Sequence, residues 1–558
     1  MQTRIKRTLG MWALAAALVP AATTSCTKDL DQVPSYSANS EAIYRDPAQT
    51  FQALARLYAT LAVSGQTGPA GLPDISGIDE GFSNYLRQFW LAQEVTTDEA
   101  IISWNDGNLP DYNTLTWNAN NEFVRAMYDR IFYQVSLCNE FIRQTTDDKM
   151  ASRGITGDQA ATVRKYRAEA RFLRALSYYH ALDMFGSVPY ADETSSVGGT
   201  LAKQISRADL FDKVEAELTG IEASMIAPRT TYGRADQGAC WTLLTKLYLN
   251  AEVYLGKAGA DKKSAYTNAV KYADKVLATG AGYHLASEYR LLFLADNNTS
   301  DARNEIIFPI TFDGKNTKTY GGMPFIIHAA VGGTMPLVDY GVSSGWNGNR
   351  AKSNLVDLFS SNAADSRNMF YTAGQSKQIS DIFTFAQGYT VTKFKNVTSA
   401  GVPGSDDKSN GGAGDFVDTD FPMFRLADVK LMYAEALLRG GAGGASGTAL
   451  QNVNDVRTRS QLSPLGAVGL KDVLDERGRE LYWEGHRRSD LIRFDKSYSA
   501  TYTPTNNLFT SADYPWVFKG TTDRKSPAGG PVAATRTLFP IPTTDLVANP
   551  NLKQNPGY

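Results

Sequence analysis

The sequence predicts a mostly α-helical fold: tetratricopeptide-like helix pairs forming a solenoid, with long loop insertions and minor β content. Three observations carry this reading. Long amphipathic segments dominate the chain. Two of the helix pairs resemble each other, since Tyr and Ala-Glu recur at like places in Leu247-Tyr248-Leu249-Asn250-Ala251-Glu252-Val253-Tyr254 and Leu431-Met432-Tyr433-Ala434-Glu435-Ala436-Leu437. The pairs lie far apart in sequence, so the long stretches between them must be insertions that divide the solenoid.

The helices follow in order. Residues 47–63 place Phe51, Leu54, Leu57, Tyr58 and Leu61 on one helical face. Segments 123–141, 163–185 and 210–225 repeat the pattern. Segments 235–255 and 265–277 form the first pair; 426–438 and 449–459 form the second, followed by a long helix over 470–494. Residues 65–120 and 313–350 are rich in Gly, Asn, Asp, Trp and Tyr and lack helical period, and 399–415 is rich in Gly, Ser and Asp. Residues 306–312 are β-prone.

Composition excludes some functions. The 558 residues carry 56 Lys+Arg against 58 Asp+Glu, a net charge of -2, so no strong field favours nucleic acid or an anionic surface. A neutral ligand suits that balance. Aromatic residues make up 11%, with 28 Tyr and 8 Trp, a richness that core packing accounts for until particular aromatics are placed on loops.

The N-terminus carries an address. Arg4, Lys6 and Arg7 precede a short apolar run over 11–22, the pattern of a secretory signal. The small residues Thr23, Thr24 and Ser25 then lead to Cys26. This resembles the bacterial lipoprotein site, although Thr23 stands where Leu is usual. Only 3 Cys occur, so no disulfide framework accounts for Cys26, and Cys138 and Cys240 read as buried thiols within helices. Residues 1–25 are therefore expected to be a signal peptide and 26–46 a lipidated Cys with its tether. Residues 47–558 are expected to form a single domain. The acidic stretch Thr27-Lys28-Asp29-Leu30-Asp31 resembles the signal that sends lipoproteins to the outer face of the outer membrane.

Several motifs point to chemistry without supporting it. Gly341-Val342-Ser343-Ser344-Gly345 matches a nucleophile elbow, but Trp346-Asn347-Gly348-Asn349 follows where a helix is required. His180, His284, His328 and His486 have no metal-ligand spacing. Glu480 and Glu484 lie one turn apart as a glycosidase pair could, yet Arg487 and Arg488 follow at helical spacing, so an ion-pair network on that helix is the expectation. Arg164, Arg167, Arg171 and Arg174 form a stripe expected to pair with neighbours such as Glu169.

Larger blocks carry a family resemblance. Ala168-Glu169-Ala170-Arg171-Phe172-Leu173-Arg174-Ala175-Leu176, running on to Phe185-Gly186-Ser187-Val188-Pro189, resembles the central helix of SusD/RagB-type lipoproteins. So do Asp418-Thr419-Asp420-Phe421-Pro422 with Phe424-Arg425-Leu426-Ala427-Asp428, the run from Glu476 to Leu491, and the tail from Phe539-Pro540-Ile541-Pro542 to Asn555-Pro556-Gly557-Tyr558. The match runs in order along the chain. It implies a non-enzymatic, cell-surface glycan-binding subunit that needs no cofactor. In this family such a subunit sits over a TonB-dependent SusC-like transporter and hands it oligosaccharides.

The loops resemble those of the family's starch-binding prototype. The resemblance implies an aromatic arc of Trp104, Tyr320 and Trp346, with Asp79 and Arg87 as polar partners and an α-1,4-glucan as ligand. Where the prototype has a ligand-binding Asn, this chain has Gly107; Asn105 and Asn108 flank it and are candidates to substitute. A different glycan, or glycoside hydrolysis, stands as the alternative. The chemistry is independent of the resemblance: sugar rings bury apolar faces on flat aromatics, while Arg and carboxylate groups serve the hydroxyl edges. Finally, the Asp418-x-Asp420 spacing and the turn at Asn298 make a structural calcium ion a candidate. Capping of a helix beginning near Arg425 explains the Asp pair equally well.

Overall fold

The computed structural model describes residues 40–66, 68, 73–196, 198, 200–256, 260–360, 362, 364–406, 414–495 and 534–558. Cys26, the signal segment and the tether up to residue 39 lie outside the described residues, as does part of the 399–415 loop.

The principal helices are α1 (Pro47–Ala62), α2 (Tyr85–Trp90), α3 (Glu122–Gln144), α4 (Gly157–Met184), α5 (Arg207–Ile221), α6 (Gln237–Leu249), α7 (Ala260–Leu277), α8 (Gly322–His328), α9 (Leu426–Leu438), α10 (Ala449–Arg459), α11 (Leu470–Leu481) and α12 (Arg487–Phe494). Local chemistry fixes many starts. Asp46 accepts the Ala48 amide ahead of Pro47, Asn121 accepts those of Phe123 and Val124, and Thr448 accepts that of Gln451.

Packing runs as a stack. α3 lies on α4, α4 on α5, α6 on α7, α7 on α9, and α9 on both α10 and α11. The two pairs singled out by their Tyr and Ala-Glu pattern therefore adjoin through α7 and α9, and the insertion between them loops out. Tyr248 of α6 stacks on Tyr272 of α7, with centroids 5.8 Å apart. The fold is mostly helical and tetratricopeptide-like, as expected, and its strands form small two-stranded ladders. Among the described residues, no helix is long and apolar enough to cross a membrane. Cys138 and Cys240 are buried free thiols.

Three expectations change. The helix over 470–494 breaks into α11 and α12, because Trp483 (φ 69°) and Gly485 (φ 78°) turn the chain so that the Gly485 amide reaches the buried Glu94 carboxylate 2.5 Å away. Segment 235–255 likewise breaks at Asn250, where a separate short helix, Ala251–Leu255, begins. The 65–120 and 313–350 insertions are not free of helix: they contain α2 and α8.

The ion-pair readings hold in kind but not in partner. Glu480 is fully buried and pairs with Arg367, Arg425 and Arg459; Glu484 pairs with Lys393 and Arg425. Arg487 instead pairs with Asp98 at 2.8 Å, and Arg488 donates to the Arg536 carbonyl. Burial pushes the Glu480 carboxyl up, but Arg459, Arg425 and Arg367 outweigh it and hold it well below the usual range. A carboxylate so enclosed is a structural hub. In the arginine stripe, Arg164 and Arg167 pair with Asp147, while Arg171 and Arg174 pair with Glu217. Glu169 turns to Arg234 and Tyr58.

Candidate functional site

A short ladder assembles the first two rings. β1 (Ala100–Ile102) pairs antiparallel with β3 (Asn349–Ala351), Ile102 opposite Asn349. The pairing runs on through the Ser103 amide, which donates to the Gly348 carbonyl at 2.9 Å. Trp104 just after β1 thus meets Trp346 just before β3. Their ring centroids are 6.4 Å apart at 42°, and Trp104 Nε1 donates to the Trp346 carbonyl at 2.8 Å. Gly348 permits this approach: a Cβ there would sit 2.9 Å from the Trp104 indole.

A second ladder brings the third ring. β2 (Ile306–Ile310) pairs with β4 (Phe421–Arg425) and carries the chain into the 311–321 loop. Tyr320, 36% exposed, lies at the end of that loop; its centroid is 6.3 Å from Trp346 and 5.5 Å from Phe416. Trp104, Trp346 and Tyr320 thus form a continuous row. The planes of successive rings differ by 42° and 65°.

Arg87 sits behind this row on α2. Asn84 caps the helix by accepting the Arg87 amide. The guanidinium lies 4.5 Å from the Phe325 ring centre and 5.5 Å from that of Trp104, and these two rings meet edge-on at 5.7 Å. Arg87 Nε is buried without a hydrogen-bond partner among the described residues. Burial lowers the group's pKa to about 10, opposed by Asp106 and Asp79, so it stays charged at neutral pH. Asp79 is exposed and accepts the Phe82 amide through Oδ1. The neighbouring Glu80 is buried, and its carboxyl is pushed up to about 7, chiefly by burial.

The candidates flanking Gly107 divide. Asn105 is exposed on the turn after Trp104. Asn108 is committed elsewhere: its Oδ1 accepts the Glu122 amide at 3.1 Å and its Nδ2 reaches the Asn120 carbonyl at 3.4 Å. It anchors the start of α3. Gly107 has φ 49°, and a Cβ there would collide with the Glu122 carboxylate. An Asn at 107 would have to displace the Glu122 carboxylate, the far end of a flexible side chain.

The serine motif is wired as loop structure. The 3₁₀ turn Leu337–Tyr340 precedes it, not a strand. The Ser343 hydroxyl donates to Asp415, while both ring nitrogens of His328 face main-chain carbonyls. That arrangement does not prepare a nucleophile.

The candidate calcium residues form a hydrogen-bonded seam. Asp418 accepts the Gly314 amide and both the amide and hydroxyl of Ser405. Asp420, buried, accepts the Phe312 amide at 2.7 Å and the Tyr232 hydroxyl at 2.9 Å. Asn297, not Asn298, makes the contact across the seam, donating to the Asp420 carbonyl. Among the described residues, no cluster of three or more His, Cys, Asp or Glu side chains is placed to hold a metal. This donor set fits protein amides and hydroxyls better than a shared calcium cage.

Of the three rings, Tyr320 is exposed and the two indoles are half-buried. None of them lines the cavity of about 730 Å³ that lies between α1 and the segments around Tyr232 and Asn316. Phe325, His328 and Phe416, which brace the rings, were not foreseen. The apolar run Met323-Pro324-Phe325-Ile326-Ile327 was the available signal for a buried helix there.

Comparison with known proteins places the chain in a family. Residues 360–558 match the model of the SusD family. The starch-binding protein SusD of Bacteroides thetaiotaomicron is 33% identical over 607 aligned positions spanning 100% of both chains. A SusD superfamily protein from Parabacteroides distasonis superposes with a TM-score of 0.66 at 22% identity, covering 92% of this chain and 99% of that one. Surface glycan-binding protein A from Bacteroides thetaiotaomicron, solved with laminarihexaose, gives 0.64 at 18% identity, covering 91% and 99%. These two structures establish a common fold. With a relative one-third identical along its entire length, the chain belongs to the SusD family.

Proposed function

We propose that this protein captures α-1,4-linked glucan at the cell surface and passes it, uncleaved, to a TonB-dependent SusC-like transporter. The single observation that carries the reading is the row itself: Trp104, Trp346 and Tyr320 with their planes turned against one another, the charged Arg87 behind them and Asp79 nearby. Flat rings take the apolar faces of successive sugars. A guanidinium and a carboxylate serve the hydroxyl edges. Rings turned against one another favour a chain that curves over one that runs straight. The 33% identity to a starch-binding protein supports the same ligand.

The carboxylate pair suggested by sequence is enclosed in ion pairs, and the serine of the G-x-S-x-G motif donates to the Asp415 carboxylate, so binding is the chemistry left to the site. The N-terminal signal and Cys26 support attachment to the outer membrane by lipid, facing outward. The transporter partnership rests on the family resemblance, and co-purification of a large barrel protein with the tagged chain from detergent-solubilised outer membranes tests it.

A β-1,3-glucan is the second reading, because a chain of the same fold was solved with laminarihexaose and that polymer also curves. Isothermal titration with maltoheptaose, laminarihexaose and a cello-oligosaccharide of like length separates the readings. Maltoheptaose should bind most tightly and remain intact after prolonged incubation. Preference for laminarihexaose would install the second reading, and preference for the straight chain would refute both.

A further inference from the structure

His328 ends α8 and is fully buried. Its ring stacks beneath the Trp346 indole, with centroids 4.5 Å apart at 24°. Each ring nitrogen meets a main-chain carbonyl oxygen: Nδ1 lies 2.7 Å from that of Ser344, and Nε2 lies 3.0 Å from that of Asp415. A carbonyl oxygen can only accept. A neutral imidazole has one N–H and one bare lone pair. In either tautomer, a nitrogen lone pair would therefore face an oxygen lone pair at hydrogen-bonding distance. Turning the ring over replaces both nitrogens with C–H groups and loses both bonds. The imidazolium alone satisfies both contacts.

We propose that His328 is held as an imidazolium at neutral pH and is the positioning residue for Trp346. Its two N–H groups tie the Ser344 and Asp415 backbones together, and its face forms the bed of the second ring in the arc. An ordinary histidine is mostly neutral at that pH.

The surroundings act in both directions. Burial opposes the charge. His328 is the last residue of α8, the end at which the helix dipole favours a cation. Asp415 supplies a carboxylate that accepts the Ser343 hydroxyl, and Asp406 accepts the Asp415 and Phe416 amides. Lys318 pairs with Asp406 at 2.9 Å, so that carboxylate is partly spent. Arg87 lies against Phe325, three residues back on α8, and is a like charge. α8 itself carries no other titratable side chain. Loss of the proton would set one carbonyl against a lone pair, and the Ser344 or Asp415 segment would have to retreat. The Trp346 amide would keep its hydrogen bond to the His328 carbonyl, at 2.9 Å, but the indole would lose its fixed bed.

The charge claim stands apart from the glycan reading; only its effect on binding rests on that reading. The full chain labelled with ¹⁵N-histidine tests the charge directly. Only 4 His occur, so the spectrum is simple. Burial pushes His180 down to about 3 and His486 well below its usual value, so both report neutral rings. His328→Gln identifies the signal. At pH 7, long-range ¹H–¹⁵N spectra should show both His328 nitrogens protonated. A neutral single tautomer at pH 7 overturns the proposal, and the wild-type spectrum decides this even if the variant fails to fold. Because an imidazolium quenches a stacked indole, tryptophan emission should rise as the His328 signal loses its proton. That step should vanish in Trp346→Phe; its persistence there would show that the charge does not lie under Trp346. Affinity for maltoheptaose should fall at least threefold over the same pH interval and show no such step in His328→Gln. Identical pH profiles for the two proteins would overturn the positioning role. If maltoheptaose does not bind at any pH, the glucan reading fails, and the spectra and emission alone decide the charge.

Discussion

Trp104 donates its indole N–H to the main-chain carbonyl of Trp346 at 2.8 Å, so one ring of the platform is bonded to the backbone that carries the next. The two rings should therefore act as a unit. Trp104→Ala and Trp346→Ala should each weaken glucan binding by about 1–3 kcal/mol, as loss of one stacked flat ring does. Their effects should fall short of additive by about 0.5 kcal/mol or more, because removing one loosens the other. Titration calorimetry on the two single variants and the double variant measures this. Strict additivity would mean that the bond does not couple them.

Gly107→Asn should fail to improve binding and should destabilise the fold. Two costs combine: a left-handed φ of 49° and collision with Glu122. Together they should cost about 1–3 kcal/mol. Thermal unfolding checks it. Adding Glu122→Ala should recover part of the loss, since it removes the collision and leaves the backbone cost.

Glu80 gives the region a pH dependence. Burial pushes its carboxyl up to about 7, with Asp79 and Asp74 adding to the effect. The unfolded value is about 4.3. The folded state thus holds the proton more tightly. The stability this supplies is present below about pH 4 and is lost as pH rises through about 7. Glu80→Gln should raise the melting temperature at pH 8 relative to wild type and do less at pH 5. An equal shift at both values would show that Glu80 does not titrate there.

Chelation should leave the protein unchanged. Asp418 and Asp420 are already occupied by amides and hydroxyls of the chain. Dialysis against EDTA should not move the melting temperature, and elemental analysis should find calcium well below one ion per chain. A lowered melting temperature restored by added calcium would show that the seam opens to admit the ion.

Labelling with a palmitate analogue in a lipoprotein-processing bacterium should mark the wild type and not Cys26→Ala. Equal labelling of both would refute attachment at Cys26. The other two cysteines are buried, and burial pushes the Cys138 thiol up to about 12, so neither offers an alternative acceptor.

Legibility followed locality. Residues 426–438 and 449–459 form helices with the bounds read from their periodicity, because their ends are fixed nearby, the second by the Thr448 cap. The 470–494 helix was misread because its break answers to Glu94, almost four hundred positions away. The arc residues came from a resemblance, and the two ladders bring their rings close together in space. The bond by which Asn108 anchors Glu122 was not legible, because it exists only once the loop has folded. His328 was weighed only as a metal ligand, since nothing in sequence spacing foretells two carbonyls converging on one ring.

The β1–β3 ladder also sets the order of events in the life of the chain. Trp104 and Trp346 stand 242 positions apart, and strands of three residues each bring them together. A contact of that span forms only after a long loop has closed, which is slow compared with the pairing of neighbouring helices. During synthesis Trp104 must wait for Trp346 to be made. The chain can thus hold most of its helices and still be unable to grip a sugar. A glucan lying across both rings would then stabilise the closed loop by mass action. Cargo would act as a brake on unfolding, and an empty molecule should be the first to come apart at this seam.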